Sequence, residues 1–263
     1  MAAKNKFMNA MKMPAIADMF SSEADRQRES GDLVTEVSLS ELHPFVNHPF
    51  EVRDDEDMQK LVDSIKENGV LTNLTVRPRD EGGYEIISGH RRFHAAQLAG
   101  LDKIKVQVRD VDDDQAIIDM VDANIQREHI SPMEKARALK MKNEAMKRSA
   151  GRRKENGCQL DTHFPEAKTA TQIGADVGES PKQIFRYIRL TELIPELLDM
   201  VDEKKIALNP AYELSFLKKE EQVDLLDAMD SEQATPSLSQ AQRLKKYSQE
   251  GHLTLDMMRV IMG

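Results

Sequence analysis

The sequence predicts an α+β N-terminal domain followed by an all-α domain built around a helix-turn-helix. Three observations carry this prediction. Between residues 34 and 121, short stretches of period-two alternation are interleaved with helical spacing. After Ser131-Pro132 the alternation stops and nearly every segment reads as helix. Lys168–Leu190 then has the turn chemistry of two crossed helices. The 263 residues suit two modest domains at ~100–200 residues each. The expected division is a tail over 1–33, an α+β domain over 34–130, a helical domain over 131–230 and a short helical segment over 231–263.

Residues 1–30 mix Met8, Met11 and Phe20 with lysines and turn polar from Ser21 to Gly31, which predicts an amphipathic helix interrupted at Pro14 and then a tether. Val37 and Leu39 alternate with polar neighbours as a strand does, and His43–Phe50 is a Pro-punctuated turn. Asp54–Asn68 places Met58, Leu61, Val62 and Ile65 on one helical face, with acids in its first turn and Gly69 as a stop. Leu74–Val76 and Tyr84–Ile87 are strands around an Asp-Glu-Gly-Gly turn. Arg91–Leu98 is a short helix closed by Gly100, Ile104–Val108 a strand and Asp113–Val121 a helix. Ser131, Pro132 and Glu134 form a capping signature for the first helix of the second domain. An interruption is expected over Ala150–Glu166, and helices over Ser237–Glu250 and Thr254–Met262.

The formal charge of −9 argues against a nucleic-acid binder only as an average. Lys135–Leu190 holds 13 lysines and arginines against 6 acids, a net of +7, leaving 24 against 40, or −16, elsewhere. A phosphate backbone responds to the local patch, because screening limits its reach to roughly 10 Å. The single Cys158 excludes an intramolecular disulfide and a cysteine-based zinc site. No apolar run approaches the ~20 residues of a membrane span, and no secretory signal is evident, so a cytoplasmic protein is expected.

In KTATQIGADVGESPKQIFRYIRL, Ile173, Val177, Ile184 and Ile188 would form the shared core. Gly174 is small where the helices cross, Gly178 suits the positive φ of the turn, and Ser180 precedes a helix begun by Pro181. Lys182, Gln183, Arg186 and Arg189 remain as long donors suited to a major groove. Lys168, Thr169, Thr171, Ser180 and the pair Arg152-Arg153 complete the candidate DNA-binding set. An ordinary two-helix corner is the alternative, and the basic surroundings favour DNA. No aromatic platform accompanies the motif, which disfavours single strands.

Ser88-Gly89-His90-Arg91-Arg92 leaves a strand, turns at glycine and opens a helix with two guanidiniums, an arrangement suited to polyphosphate. Ala123-Asn124-Ile125-Gln126-Arg127 lies at the domain switch and offers an amide oxygen for a phosphate or Mg²⁺. A surface arginine pair and plain helix capping are the respective alternatives.

Taken together and in order, these boxes resemble the ParB family of plasmid and chromosome partition proteins. NHPFEVRDDEDMQKLVDSIKENGVLTNLTVRP is similar to the family's first box, SGHRRFHAAQLAGL to its Gly-Glu-Arg-Arg box and NIQREHISPMEKARAL to its third, with the helix-turn-helix following. The resemblance spans about Val37–Asp230. It implies a ParB/sulfiredoxin-like N-terminal fold and dimers that bind a short palindromic duplex. It also implies CTP and Mg²⁺ binding that closes a sliding clamp, slow CTP hydrolysis, and a ParA-type ATPase partner on nucleoid or plasmid DNA. By position, Gly89, His90, Arg91 and Arg92 would hold triphosphate, and Asn124 would ligate magnesium with Gln126 and Arg127 nearby. Arg53 and Thr72 would lie close to the nucleotide.

Three departures qualify this. His90 stands where the family has Glu, Ala123-Asn124 replaces Glu-Asn with Asp122 one residue out of register, and the Gln-Pro of the first box is absent before Arg53. Nucleotide binding is therefore expected to survive more surely than hydrolysis. A transcriptional regulator that makes no use of nucleotide is the competing reading. Sulfiredoxin chemistry is excluded because its loop cysteine is missing. A nuclease built on Asp112, Asp113 and Asp114 is disfavoured, since three consecutive acids rarely converge on one ion. The N-terminal segment would contact the ATPase by position, with a membrane-touching helix as the weaker reading. The C-terminal Leu253, Leu255, Met258, Val260 and Ile261 serve either core docking or a small dimer contact.

Overall fold

The computed structural model describes residues 33–127, 130–155 and 165–263. β1 (Leu33–Ser38), β2 (Leu42–His43), β3 (Leu74–Pro78), β4 (Tyr84–Ser88) and β5 (Lys103–Val108) form one mixed sheet in the order β1-β5-β3-β4-β2. β1 runs antiparallel to β5 and β4 to β3, while β3 is parallel to β5 and β2 to β4. The strand expected through Leu39 stops at Ser38, and Leu39–Glu41 turn as a short 3₁₀ helix into β2. β2 falls at the start of the predicted turn region, its two residues being too few to show alternation.

Successive side chains of β4 serve opposite faces, as the pleat requires. Ile86 packs with Leu74, Val76, Ile104 and Val106 beneath α2 (His90–Leu98), whose Phe93 and Ala96 complete that layer. α1 (Glu56–Asn68) covers α2 from outside through Met58, Val62 and Ile65 against Ala95. Ile87 faces the other way, toward α3 (Asp113–Asp122).

That second face does not end at the sheet. Ile87, Ala116, Met120 and Val121 share one buried cluster with Ala138 and Leu139 of α4 (Pro132–Glu155), Ala170 and Ile173 of α5 (Pro165–Val177) and Ile184 of α6 (Pro181–Leu190). α4 continues five residues beyond Ala150, where an interruption was expected. Gly151 costs a helix only about 1 kcal/mol, and the Arg, Lys and Glu that follow are good helix formers. The 1–32 helix and tether and Cys158 lie outside the described residues. At 152, 153 and 168 only the helical backbone is described.

The remaining helices, α7 (Pro195–Asp202), α8 (Leu208–Leu214), α9 (Lys219–Glu232), α10 (Leu238–Gln249) and α11 (Leu255–Met262), enclose a second core. Met258, Ile261 and Met262 are buried in it, so the last helix docks on its own chain, while Val260 faces solvent. No helix among the described residues is long and apolar enough to cross a membrane.

Candidate functional site

The Gly-His-Arg-Arg turn is built as its residues require. Gly89 has φ +105° and opens α2, and a Cβ there would lie 2.8 Å from Leu74 Cγ and 3.1 Å from Arg92 Nη2. Gly89→Ala is therefore expected to destabilise the fold by roughly 1–3 kcal/mol, from left-handed strain added to contact with the buried Leu74. Urea unfolding with a shift in midpoint at constant slope checks this.

Arg92 is half-buried and donates from Nη1 to the carbonyls of Thr72 and Asn73, at 2.6 and 2.8 Å. This brings Thr72, an exposed residue, to the glycine turn. Arg91 is 3.4 Å from Asp55 at the start of α1. Arg127 lies over the Phe50 ring at 5.8 Å. Burial and then the charge of Arg91 push its guanidinium below its usual range, and Arg92 adds to this; Glu134 alone opposes. Arg91 and Arg92 thus act on Arg127 as like charges, an arrangement that an anion would relieve.

His90 does different work from a phosphate ligand. Only 5% of it is exposed, and its Nε2 accepts the Phe45 N–H at 3.2 Å, anchoring the 45–50 loop over α2. The ring is stacked on His48 at 3.8 Å between centroids, and His48 Nδ1 donates to the Phe50 carbonyl at 2.7 Å. These bonds set the neutral tautomers and leave His90 Nδ1 and His48 Nε2 buried without a partner among the described residues. Burial, followed by the charges of His48 and Arg127, lowers the His90 pKa to about 3. Burial and Arg127 also lower that of His48. His48 was not anticipated, because one histidine in a Pro-rich turn carries no periodic signal.

Asn124 is buried, and its amide donates to the Met120 carbonyl at 2.7 Å, closing the end of α3. Asp122, one residue out of register with the missing glutamate, has its Oδ1 engaged 2.5 Å from Lys142 Nζ. Among the described residues no three His, Cys, Asp or Glu side chains converge on a point that would hold a metal ion. The arginines gathered at this turn have the chemistry to hold a polyphosphate. Gln126 is exposed beside Arg127. Arg53 projects to solvent, paired with Glu51 at 3.0 Å. The Glu51 N–H in turn donates to Glu134 Oε1 at 2.7 Å, so the capping glutamate of α4 also holds the first-box loop.

The helix-turn-helix closes as expected. Ile173 and Ile184 are buried with Val177 and Ile188 packed against them, Gly178 has φ +76°, and Ser180 caps α6 by accepting the Gln183 N–H. Lys182, Gln183 and Arg186 share the outer part of α6, with Arg186 Nη1 3.4 Å from Asn209 of α8. Arg189 is turned onto α8, donating to the Ser215 carbonyl at 3.1 Å and lying 4.5 Å from the Phe216 centroid. Thr169 is withdrawn from any duplex by burial, its hydroxyl donating to Asn143 Oδ1 at 2.8 Å. Thr171, two residues on and toward the opposite face of α5, is exposed.

The basic centre is also smaller than its count. Lys135 pairs with Glu179, Lys140 with Glu192, Lys142 with Asp122 and Asp176, and Arg148 with Asp114. At least four of its 13 cations are thus engaged internally among the described residues.

The chain is thus of a two-part class, an α+β domain whose glycine turn gathers arginines packed on a helical domain that contains a helix-turn-helix. Residues 23–125 match the family model described as the ParB N-terminal domain. The chain belongs to the ParB family. It is 31% identical over 196 residues to a probable chromosome-partitioning protein ParB of Neisseria meningitidis serogroup A, covering 74% of this chain and 62% of that protein. The structure of a pNOB8-like ParB N-domain, in its C2221 form, aligns with 88% of this chain and 98% of its own, at 16% identity and a TM-score of 0.51. The C-terminally truncated ParB of Caulobacter crescentus, solved with CTP-γ-S, covers 75% of this chain and 99% of its own at 24% identity and a TM-score of 0.34. The chain spans 62% of the length of each of the first curated relatives it matches.

Proposed function

We propose that this protein is a DNA-binding partition protein that recognises a centromere-like palindromic duplex through α5 and α6 and uses CTP as a clamp switch. The observation that carries the reading is the group of Arg91, Arg92 and Arg127 at a left-handed glycine turn, with Asp55 beside Arg91 and Glu134 opposing the charge of Arg127. The duplex contacts assigned are Lys182, Gln183 and Arg186 on α6 and Thr171 on α5, with Arg189 holding α6 in place. In this reading the two functional halves meet near Ser131, the protein acts as a homodimer on nucleoid or plasmid DNA in the cytoplasm, and a ParA-type ATPase moves it.

The nucleotide's triphosphate would rest on Arg91, Arg92 and Arg127. No step is assigned to the metal, and with His90 and Ala123 where the family has glutamates, slow CTP turnover is expected. The engagement of Asp122 by Lys142 also favours a second reading, a regulator that keeps the fold without using nucleotide.

In vitro selection of duplex DNA, repeated with CTP, separates the two. A palindromic site whose occupancy changes with CTP supports the partition reading, and a site indifferent to CTP supports the regulator. Arg127→Ala is expected to weaken CTP binding at least about tenfold, since one charge-assisted contact contributes about 1.5–3 kcal/mol. Unchanged affinity in a calorimetric titration would remove the arginine cluster from the site.

A further inference from the structure

Lys142 occupies a place in α4 that normally takes an apolar residue. It shares the core stripe with Ala138, Leu139 and Ala145, and only 1% of it is exposed. Its Nζ lies 2.5 Å from Asp122 Oδ1 and 2.7 Å from Asp176 Oδ2. Asp122 is the last residue of α3, two before Asn124 in the segment that carries Arg127. Asp176 is next to last in α5, beside Val177 and the Gly178 turn of the helix-turn-helix.

A buried ammonium depends on its acids, and here two carboxylates share one Lys142, so displacing either changes how firmly the other is held. The triad is therefore a joint constraint on the end of α3 and the end of α5. One heptad earlier, on the same face of α4, Lys135 pairs with Glu179 just before the cap of α6. Between these contacts and the sheet, Glu134 holds the first-box loop through the Glu51 N–H. A single helix thus grips the candidate anion site on one side and both ends of the helix-turn-helix turn on the other.

We propose that Lys142 is a positioning residue that ties the Asp122–Arg127 segment to the helix-turn-helix, so that a nucleotide in the arginine cluster and a duplex on α5 and α6 alter each other's affinity. This rests on the two-site reading given above. A ligand that draws Arg127 inward displaces the end of α3. When Asp122 shifts, Asp176 becomes the remaining partner of the Lys142 ammonium, so the displacement passes through Lys142 to Asp176. Because such coupling is reciprocal, one factor describes both directions.

The test uses the full chain, CTP as the nucleotide and the duplex recovered by selection. CTP affinity is titrated with and without saturating duplex in the wild type, Lys142→Met and Asp176→Asn. The wild type is expected to show a ratio of at least about 5, at the low end of allosteric couplings, and both variants a ratio below about 2. Each ligand alone should bind the variants as it binds the wild type, a combination that a merely structural role for Lys142 would not produce. Asp176→Asn keeps the Lys142–Asp122 pair and so preserves a folded comparison if Lys142→Met does not fold, which thermal unfolding reports. A wild-type ratio retained by Asp176→Asn, or a wild-type ratio of one, overturns the proposal. A wild-type chain that binds neither CTP nor duplex alone instead overturns the underlying site reading, and the coupling with it.

Discussion

Between pH 6.5 and about pH 3 the protein is expected to lose stability by up to about 1.4 kcal/mol per pH unit through His90 alone. The folded state keeps this imidazole neutral, because it is buried under the 45–50 loop, beside His48 and within reach of the Arg127 charge. The unfolded chain protonates it near pH 6.5. Across that interval the unfolded state therefore binds one more proton than the folded state, and stability rises with pH. His48, lowered for similar reasons, acts in the same direction. Carboxylates contribute their own slope, so the measurement is a difference between two chains. His90→Gln keeps an acceptor for the Phe45 N–H and cannot titrate here. Urea unfolding of both chains at about pH 7, 6 and 5 should show the wild type falling faster, with the gap widening as pH drops. Parallel curves would show that His90 is protonated in the folded protein.

Gly174→Ala is expected to destabilise the helix-turn-helix by roughly 1–3 kcal/mol and to abolish duplex binding before it abolishes folding of the α+β half. A Cβ at Gly174 would lie 2.5 Å from the Glu179 carbonyl oxygen and 3.5 Å from the Pro181 nitrogen. Both are backbone atoms, so no side chain can swing aside. The Gly174 carbonyl also accepts the Glu179 N–H at 2.8 Å, which holds the turn tightly against the first helix. Pushing Glu179 outward breaks that bond, disturbs its pairing with Lys135 and shifts the start of α6, which carries Lys182 and Gln183. Native-state hydrogen exchange resolves the effect by segment. Protection should fall across 173–190 and persist in β3 to β5. Uniform loss along the chain, or wild-type duplex affinity, would contradict the assignment of this crossing.

Several elements were legible because they rest on local signals. The helix at Glu56–Asn68 is marked by the capping Asp55, which accepts the Met58 N–H, by acids in the first turn and by a glycine stop. The helix-turn-helix is equally explicit, since a small residue at the crossing, a glycine at the turn and a capping serine are properties of single positions. The glycine turn before Arg91 was readable for the same reason. Its electrostatics were not, since they depend on Arg127, thirty-six residues further along the chain.

Other features were decided by neighbours that no local pattern reveals. His90 looks like a ligand-facing residue in its box, yet the Phe45 N–H makes it a support for a loop. Thr169 and Arg189 have the right chemistry for a duplex, but Asn143 and the Ser215–Phe216 turn take them up. The basic excess over Lys135–Leu190 overstates the charge available to DNA, because ion pairs with Glu179, Glu192, Asp122, Asp176 and Asp114 are formed by chain segments up to 52 residues apart. Lys142 did leave a trace, a lysine at apolar spacing between Leu139 and Ala145, but that trace names no partner.

By itself, then, the sequence determined the order of strands and helices, the position of the turn glycines and the family whose boxes it carries. These follow from backbone preferences and hydrophobic periods that act within a few residues. Only the tertiary structure decided which charged and polar side chains remain available to a ligand. Whether a histidine is neutral or an arginine unmatched depends on burial and on charges brought close by chain folding, and both are set by distance in space.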